Sequence, residues 1–281
     1  MNLVERPQPS LILVATPIGN LGDISQRALE VLSAADSVAC EDSRRTGSLF
    51  AHFGIPHTPF IVCNDHTERA ATEEILSRVA AGQTVALVSD AGTPAVSDPG
   101  QRVVEAAIER GIAVQSIPGA SAVLVGLTLS GLGTDRFCFD GFLPRKGGDR
   151  TLRIGALIGE QRTVVLYEAP HRLARTMSDL AEQLGGSRQV VLARELTKRY
   201  EEIWRGTMAE AVKHTIDVEP RGEYVVIIEG AAEIEVTEES LMEALRVEMA
   251  SGASRRDAVA AVVHMTGAKK RQVYDLALQL D

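Results

Sequence analysis

Two stretches of this 281-residue chain concentrate side chains able to do chemistry. One is Glu41-Asp42-Ser43-Arg44-Arg45-Thr46, two acids followed by two arginines. The other is SDAGTPAVSDPG, residues 89–100, which holds Asp90, Gly92 and the hydroxyls of Thr93 and Ser97. Carboxylates placed at strand ends can accept a proton, and arginines can grip phosphate or carboxylate. The acid–arginine stretch reads either as a self-neutralising surface turn or as a substrate-side constellation. Further polar groups follow in Arg145-Lys146-Gly147-Gly148, in His171-Arg172 and in Arg194-Glu195-Leu196-Thr197-Lys198. Neither G-x-G-x-x-G nor G-x-x-x-x-G-K-[ST] occurs, so a dinucleotide fold or a P-loop has no local support. Cys40, Cys63 and Cys138 are isolated, which speaks against a disulfide framework or a zinc site and for a reducing cytoplasm.

Short apolar runs must position these groups. Residues 84–88 read as a buried strand feeding the 89–100 loop. That loop is expected to enter a helix with Asp98 as N-cap, Pro99 at the first helical position and Gln101 completing a capping box. Further strands are predicted over 11–15, 37–40, 60–63 and 112–117, with helices after the first and over 67–81. The small residues of 118–122 permit either close backbone approach to a ligand or tight helix packing. This alternation predicts a mostly parallel α/β domain over 1–122. The pattern restarts with strands over 136–142, 163–167, 189–193 and 223–229 and helices over 151–158 and from Pro170, predicting a second α/β domain over 123–232. A small helical tail, 233–281, should resemble a helix-turn-helix, with Ala258, Ala261, Val262 and Met265 at helical spacing, a stop at Gly267 and a basic start at Lys269-Lys270-Arg271. That basic start serves an outside anion, or the tail is a helical hairpin covering the second domain.

The net charge of −9 argues against a general nucleic-acid binder, but the charge is uneven. Residues 140–200 hold 11 basic against 7 acidic side chains and residues 251–281 hold 5 against 3, whereas 201–250 hold 4 against 13. Two basic segments in an acidic chain suit a large anionic partner met at a restricted surface, or are solvated charged faces. No apolar run reaches the roughly 18 residues of a membrane span. MNLVERPQPS lacks the pattern of a secretory signal, so a cytoplasmic protein is expected.

Taken together, ATPIGNLGDIS (15–25), CEDSRRT (40–46), SDAGTPAVSDPG (89–100), PGASA (118–122), FDGFLPRK (139–146), LYEAPHR (166–172), ARELTK (193–198) and GEYVVIIEG (222–230) resemble the tetrapyrrole methylase superfamily. More closely, they are similar to its ribosomal RNA small-subunit methyltransferase I family. Where relatives often carry Ala-Glu-Asp-Thr this chain has Cys40-Glu41-Asp42-Ser43, and Ser43 keeps the hydroxyl. The resemblance implies two α/β domains with S-adenosyl-L-methionine folded in the cleft between them, a homodimer and no metal. It implies methylation of the 2′-hydroxyl of cytidine C1402 in the decoding region of 16S rRNA, on the assembled small ribosomal subunit. By the same resemblance the cofactor contacts are Pro17; Asp90, Ala91, Gly92, Thr93 and Pro94; Ala120, Ser121 and Ala122; Leu166 and Tyr167; and Gly222, Glu223, Tyr224 and Val225.

A ribose hydroxyl is a weak nucleophile, so Glu41, Asp42 or Glu195 is expected to act as base, with Lys146 or Lys198 stabilising the alkoxide. Arg44, Arg45, Arg145 and Arg172 are expected on phosphates, as are Lys269, Lys270 and Arg271 in the tail. His171 contacts RNA or starts its helix. The rival readings are a methylase of a tetrapyrrole intermediate and a non-catalytic ribosome-binding or assembly factor. The FLPRK and APHR stretches favour RNA over the first, and the cofactor loops favour an enzyme over the second.

Overall fold

A computed structural model of the chain describes residues 9–232 and 237–280, which form an α/β fold with a helical C-terminal region. The start of the first predicted domain, and the boundary drawn at 233, lie outside the described residues. The chain divides into two compact units, Met1–Gly230 and Ala231–Asp281.

The first unit contains two five-stranded sheets. In chain order the first half runs β1 (Leu11–Val14), α1 (Gln26–Ala34), β2 (Ser37–Cys40), α2 (Ser43–Phe53), β3 (Phe60–Val62), α3 (Glu68–Ala80), β4 (Val85–Leu87), α4 (Gln101–Glu109), β5 (Val114–Ile117) and α5 (Ala122–Ser130). The sheet is wholly parallel with order β3-β2-β4-β1-β5. Parallel strands need helical crossovers, and helices on both faces explain why β2 and β4 are buried along their whole length. Leu11, Ala39, Val85 and Leu87 pack under α3 and α4, whereas Ile12, Val38, Cys40 and Ala86 pack under α1 and α2. The chain leaves β1 towards β2 and leaves β4 towards β5, in opposite directions from neighbouring strands. A crevice therefore opens at their carboxyl ends, where open α/β sheets bind ligands.

The second half runs β6 (Phe137–Phe142), α6 (Gly148–Ala156), β7 (Thr163–Glu168), α7 (Pro170–Leu184), β8 (Gln189–Arg194), β9 (Glu202–Thr207), α8 (Met208–Asp217) and β10 (Tyr224–Ile228). Its order is β6-β7-β10-β8-β9, and only β6 and β7 pair in parallel. Period-two alternation splits its side chains between two cores. Val164, Leu166, Val190, Leu192, Val226 and Ile228 face α6, α7 and α8. Val165, Val191, Ala193, Val225 and Ile227 face Ile18 and helix α5.

The second unit packs α9 (Glu238–Ala250), α10 (Arg255–Thr266) and α11 (Lys270–Ala277) around Leu241, Leu245, Ala258, Val262, Val273 and Leu276. Of the spacing predicted for α10, Met265 is exposed, and Val259 is buried in its place.

The predicted start of α4 is corrected. The helix begins at Gln101 after Gly100, and neither Asp98 nor Gln101 caps it. Gly100 sits at φ 127°, and its N–H donates to Glu68 Oε1 of α3 at 2.9 Å, so a carboxylate from a neighbouring helix replaces the local cap. Gln101 instead donates to Glu105. β9 and α8 were not anticipated.

A Cβ at Gly100 would stand 2.7 Å from Leu87 Cδ2 and would be strained at this φ. Gly100→Ala should cost roughly 1–3 kcal/mol, read as a lowered urea midpoint with unchanged slope.

Candidate active site

A cavity of about 460 Å³ lies where the two sheets meet. Its first wall is the loop after β4. Thr16 and Gly92 exchange backbone hydrogen bonds of 2.9 and 3.0 Å, tying this loop to the one after β1. The Thr16 hydroxyl donates to Ser89 O, and the Thr93 hydroxyl donates to Ala120 O. Gly92 adopts φ 82°, where a Cβ would press on Ile18 Cγ2 at 3.3 Å, and Ala91, Gly92 and Thr93 line the cavity. Ser121 is the N-cap residue of α5 but makes no side-chain cap bond, and with Ala122 it lines the cavity.

The opposite wall comes from the second sheet. Tyr167 is held edge-to-face between Phe139 and Phe142, with ring centroids 4.9 and 5.6 Å away, and burial pushes its phenol up to about 12. Glu168 closes β7 and is buried. It accepts from the Thr176 hydroxyl at 2.6 Å and from Ala169 N at 2.9 Å, and pairs with Arg172 at 3.1 Å. Beyond β8, Lys198 Nζ bridges Glu195 Oε1 at 2.9 Å and Glu223 Oε2 at 2.7 Å, and Glu195 also accepts from Glu223 N. Burial pushes the Glu195 carboxyl up, but Lys198 and the Glu223 N–H outweigh it and hold it below its ordinary value. Burial pushes Lys198 down, and its two carboxylate partners outweigh this too, keeping it charged. Gly222 adopts φ 77°, and a Cβ there would stand 2.5 Å from Glu195 Cγ.

The described non-glycine residues with positive φ are Ala95, Ser97, Glu195 and Thr197, all in the two loops that flank this cavity. Left-handed backbone in such residues costs of order 1–3 kcal/mol each and gathers at functional sites.

Of the expected cofactor contacts, Ala91, Gly92, Thr93, Ser121, Ala122, Tyr167, Glu223, Tyr224 and Val225 line the cavity. Pro17 and Asp90 line a neighbouring hollow beside Leu21, Arg45 and Thr46. Pro94 is buried, Ala120 packs in the seam between the halves, and the Leu166 side chain points into the core on the far face of the second sheet. Of the expected catalytic residues, Glu195 and Lys198 line the cavity. Glu41 and Asp42 line a separate hollow with Asn64, Asp65 and His66. Asp42 caps α2 and chelates Arg44 through its backbone N–H, Nε and Nη2, which holds its carboxyl down at about 2. Asp90 accepts from Asp42 N at 3.1 Å and pairs with Arg45 at 3.4 Å. Arg44 is therefore already matched to an acid of its own turn, and Arg45 to one from the loop after β4. Lys146 and Arg145 are exposed in the β6–α6 connection.

Reasoning from sequence missed Asp98 as a site residue, reading it as a helix cap. It lines the cavity, and among the described residues it has no ion-pair partner. Burial pushes its carboxyl up to about 6, aided by the negative charges of Glu41, Asp90 and Asp65 and opposed by the Ser89 hydroxyl. A carboxylate in a strand-end loop was the available signal; the Asp-Pro pattern suggested a cap instead. Glu168 was overlooked likewise, as the last residue of a strand.

The cavity fits a ligand of nucleoside size. Its volume lies in the range of small-molecule sites and its lining is mostly apolar. Among the described residues no cluster of His, Cys, Asp and Glu could hold a metal ion, and no helix is long and apolar enough to cross a membrane.

Residues 10–212 match the Tetrapyrrole (Corrin/Porphyrin) Methylases family. The ribosomal RNA small subunit methyltransferase I of Synechocystis sp. is 47% identical over 274 residues, covering 96% of this chain and 98% of the relative. The protein of the same name from Escherichia coli O157:H7 is 43% identical, covering 98% and 96%. Among solved structures, uroporphyrin-III C-methyltransferase from Thermus thermophilus complexed with S-adenosyl homocysteine aligns with a TM-score of 0.56 at 20% identity, covering 78% of this chain and 97% of that one. That similarity speaks to fold alone.

The raised carboxyl of Asp98 has a consequence for stability. Between about 4 and 6 the folded state binds the proton that the unfolded state has released, so stability falls as pH rises through this window. Asp98→Asn should match wild type below pH 4 and exceed it by on the order of 1 kcal/mol at pH 8, after discounting for partial exposure. Denaturant titrations at the two pH values check this.

Proposed function

Because the chain belongs to the tetrapyrrole methylase family, in the branch of the ribosomal RNA small subunit methyltransferase I proteins, we propose that it transfers a methyl group from S-adenosyl-L-methionine to ribosomal RNA. The acceptor in this reading is the ribose 2′-oxygen of cytidine C1402 of 16S rRNA, on the assembled small subunit, and the enzyme works in the cytoplasm as a homodimer. The observation that carries it is identity above 40% across nearly the whole of both chains with rRNA methyltransferases.

The cavity between the sheets is the proposed seat of the cofactor. Residues 91–93 and the small residues Ser121 and Ala122 would hold it on one side, and Tyr167 and the 223–225 segment on the other. A fold relative complexed with S-adenosyl homocysteine supports the choice of cofactor. Bound there, the cofactor supplies an activated methyl group; the protein's part is to align the acceptor and manage its proton.

Asp98 fits the role of base best. Glu195, Glu223 and Glu168 also line the cavity, but each is already matched to a cation. A carboxyl near 6 is ionised at neutral pH yet basic enough to share a proton in the transition state. Lys198, held charged by Glu195 and Glu223, is placed to stabilise the developing alkoxide. Glu41 is raised by burial and by Asp90, and is the second candidate, one step removed from the cavity.

The deciding experiment is transfer of labelled methyl to undermethylated small subunits, to their naked rRNA and to uroporphyrinogen. Label in intact subunits, mapped to a ribose 2′-oxygen, is the expected result; label only in uroporphyrinogen would overturn it. In the same assay Asp98→Asn should lower kcat roughly 10²–10⁴-fold and remove an acidic limb near pH 6, while leaving cofactor affinity within about twofold.

A further inference from the structure

We infer that the hollow between α6 and α7 is a seat for an RNA backbone phosphate next to the nucleotide being modified. This rests on the rRNA reading above and adds a site to it. The hollow, about 330 Å³, is lined by Arg145, Arg150, His171, Arg172, Arg175 and Thr176, so every charged lining side chain is basic. Its floor is built rather than incidental. The Arg150 side chain is only 5% exposed, and donates to Asp179 Oδ2 at 2.8 Å, Pro144 O at 3.0 Å and Thr176 Oγ1 at 3.1 Å. Thr176 donates onward to Glu168, which holds Arg172. Buried Glu168 and half-buried Asp179 thus match Arg172 and Arg150, and the surplus cations are Arg145 and Arg175 at the rim.

Those two are free to serve a ligand. Arg175 is 63% exposed and lies 3.6 Å from an Asp179 oxygen that Arg150 already engages more closely. Arg145 is exposed and forms no ion pair among the described residues. A planar guanidinium suits a phosphodiester, and two at the rim suit a strand passing over them. The start of the 15-residue helix α7, capped by Ala169 without a side-chain bond, adds its positive end to the same side.

Position supplies the link to the reaction. His171 lines both this hollow and the main cavity, and Glu168 lines the main cavity while bracing the hollow's floor. A strand that places one ribose in the cavity and crosses His171 brings a neighbouring phosphate over Arg145 and Arg175.

The test compares binding of undermethylated small subunits by the full-length protein across a KCl series. The proteins are wild type, Arg145→Ala/Arg175→Ala, and a charge-matched control, Arg69→Ala/Lys213→Ala, altered at exposed sites elsewhere. The rim variant should bind about tenfold more weakly, with a salt slope lower by roughly 1–2, and should retain S-adenosyl-L-methionine affinity by calorimetry. The control should keep the wild-type slope. Equal affinity and slope in rim variant and wild type would overturn the seat while leaving the rRNA reading intact. Equal losses in rim and control variants would also overturn it, since a diffuse field would then account for binding. Failure of wild type to bind subunits at all would overturn both.

Discussion

Everything at the cavity depends on one apolar seam, the contact of helix α5 and Ile18 with the second sheet. Val123, Gly126 and Leu127 form the face of helix AVLVGLTLS that the sheet following it in the chain covers, while Leu124 and Leu129 stay exposed. Gly126 sets the closeness of the joint: a Cβ there would stand 2.9 Å from Val225 Cγ1. Gly19 does the same where the loop after β1 meets Leu196, Thr197 and Lys198, and Asn20 N donates to the Thr197 hydroxyl. With the seam closed, the loops after β1, β4 and β5 face those after β7 and β8, and a cavity with an apolar floor and a polar rim is left between them.

The site then differentiates chemically similar groups by their surroundings. Asp42 is driven down by a chelated arginine, Glu195 is held down by Lys198, and Asp98 is driven up by burial and acidic neighbours. One functional group, the carboxyl, thereby serves as a cap and as a partner for Lys198, and in the proposed reaction as a proton acceptor, as desolvation and neighbouring charge dictate. The same logic separates the arginines. Arg44 only closes its own turn and Arg150 and Arg172 brace the junction of β7, α6 and α7, whereas Arg145 and Arg175 are exposed.

Strain is placed with equal economy. Four left-handed non-glycine residues lie in the two loops that flank the cavity, and each loop is fastened from outside itself. Glu68 of α3 fixes Gly100, Thr16 fixes Gly92, and Asn20 N donates to the Thr197 hydroxyl. Strained loops persist when the surrounding packing over-determines them, and the reward is a preorganised wall.

The sequence by itself determined the strands, because buried parallel strands must be continuous apolar runs and half-buried ones must alternate. It also marked the loops, since polar and glycine-rich residues just past such runs have few other uses. It was less legible where edges soften the pattern. β9 is half-exposed, carries Arg205 and Gly206 and reads weakly, although Thr207-x-x-Glu210 offered a capping-box signal for α8 that is realised in full. Only the tertiary structure decided which carboxylates meet in one cavity. Glu41 and Asp98 are neighbours in space through Asp90, Lys198 reaches Glu223 across 25 residues, and Glu68 caps a helix that begins 33 residues later. Electrostatic environment is a property of distances between segments, and a linear pattern carries no record of them until the chain has folded.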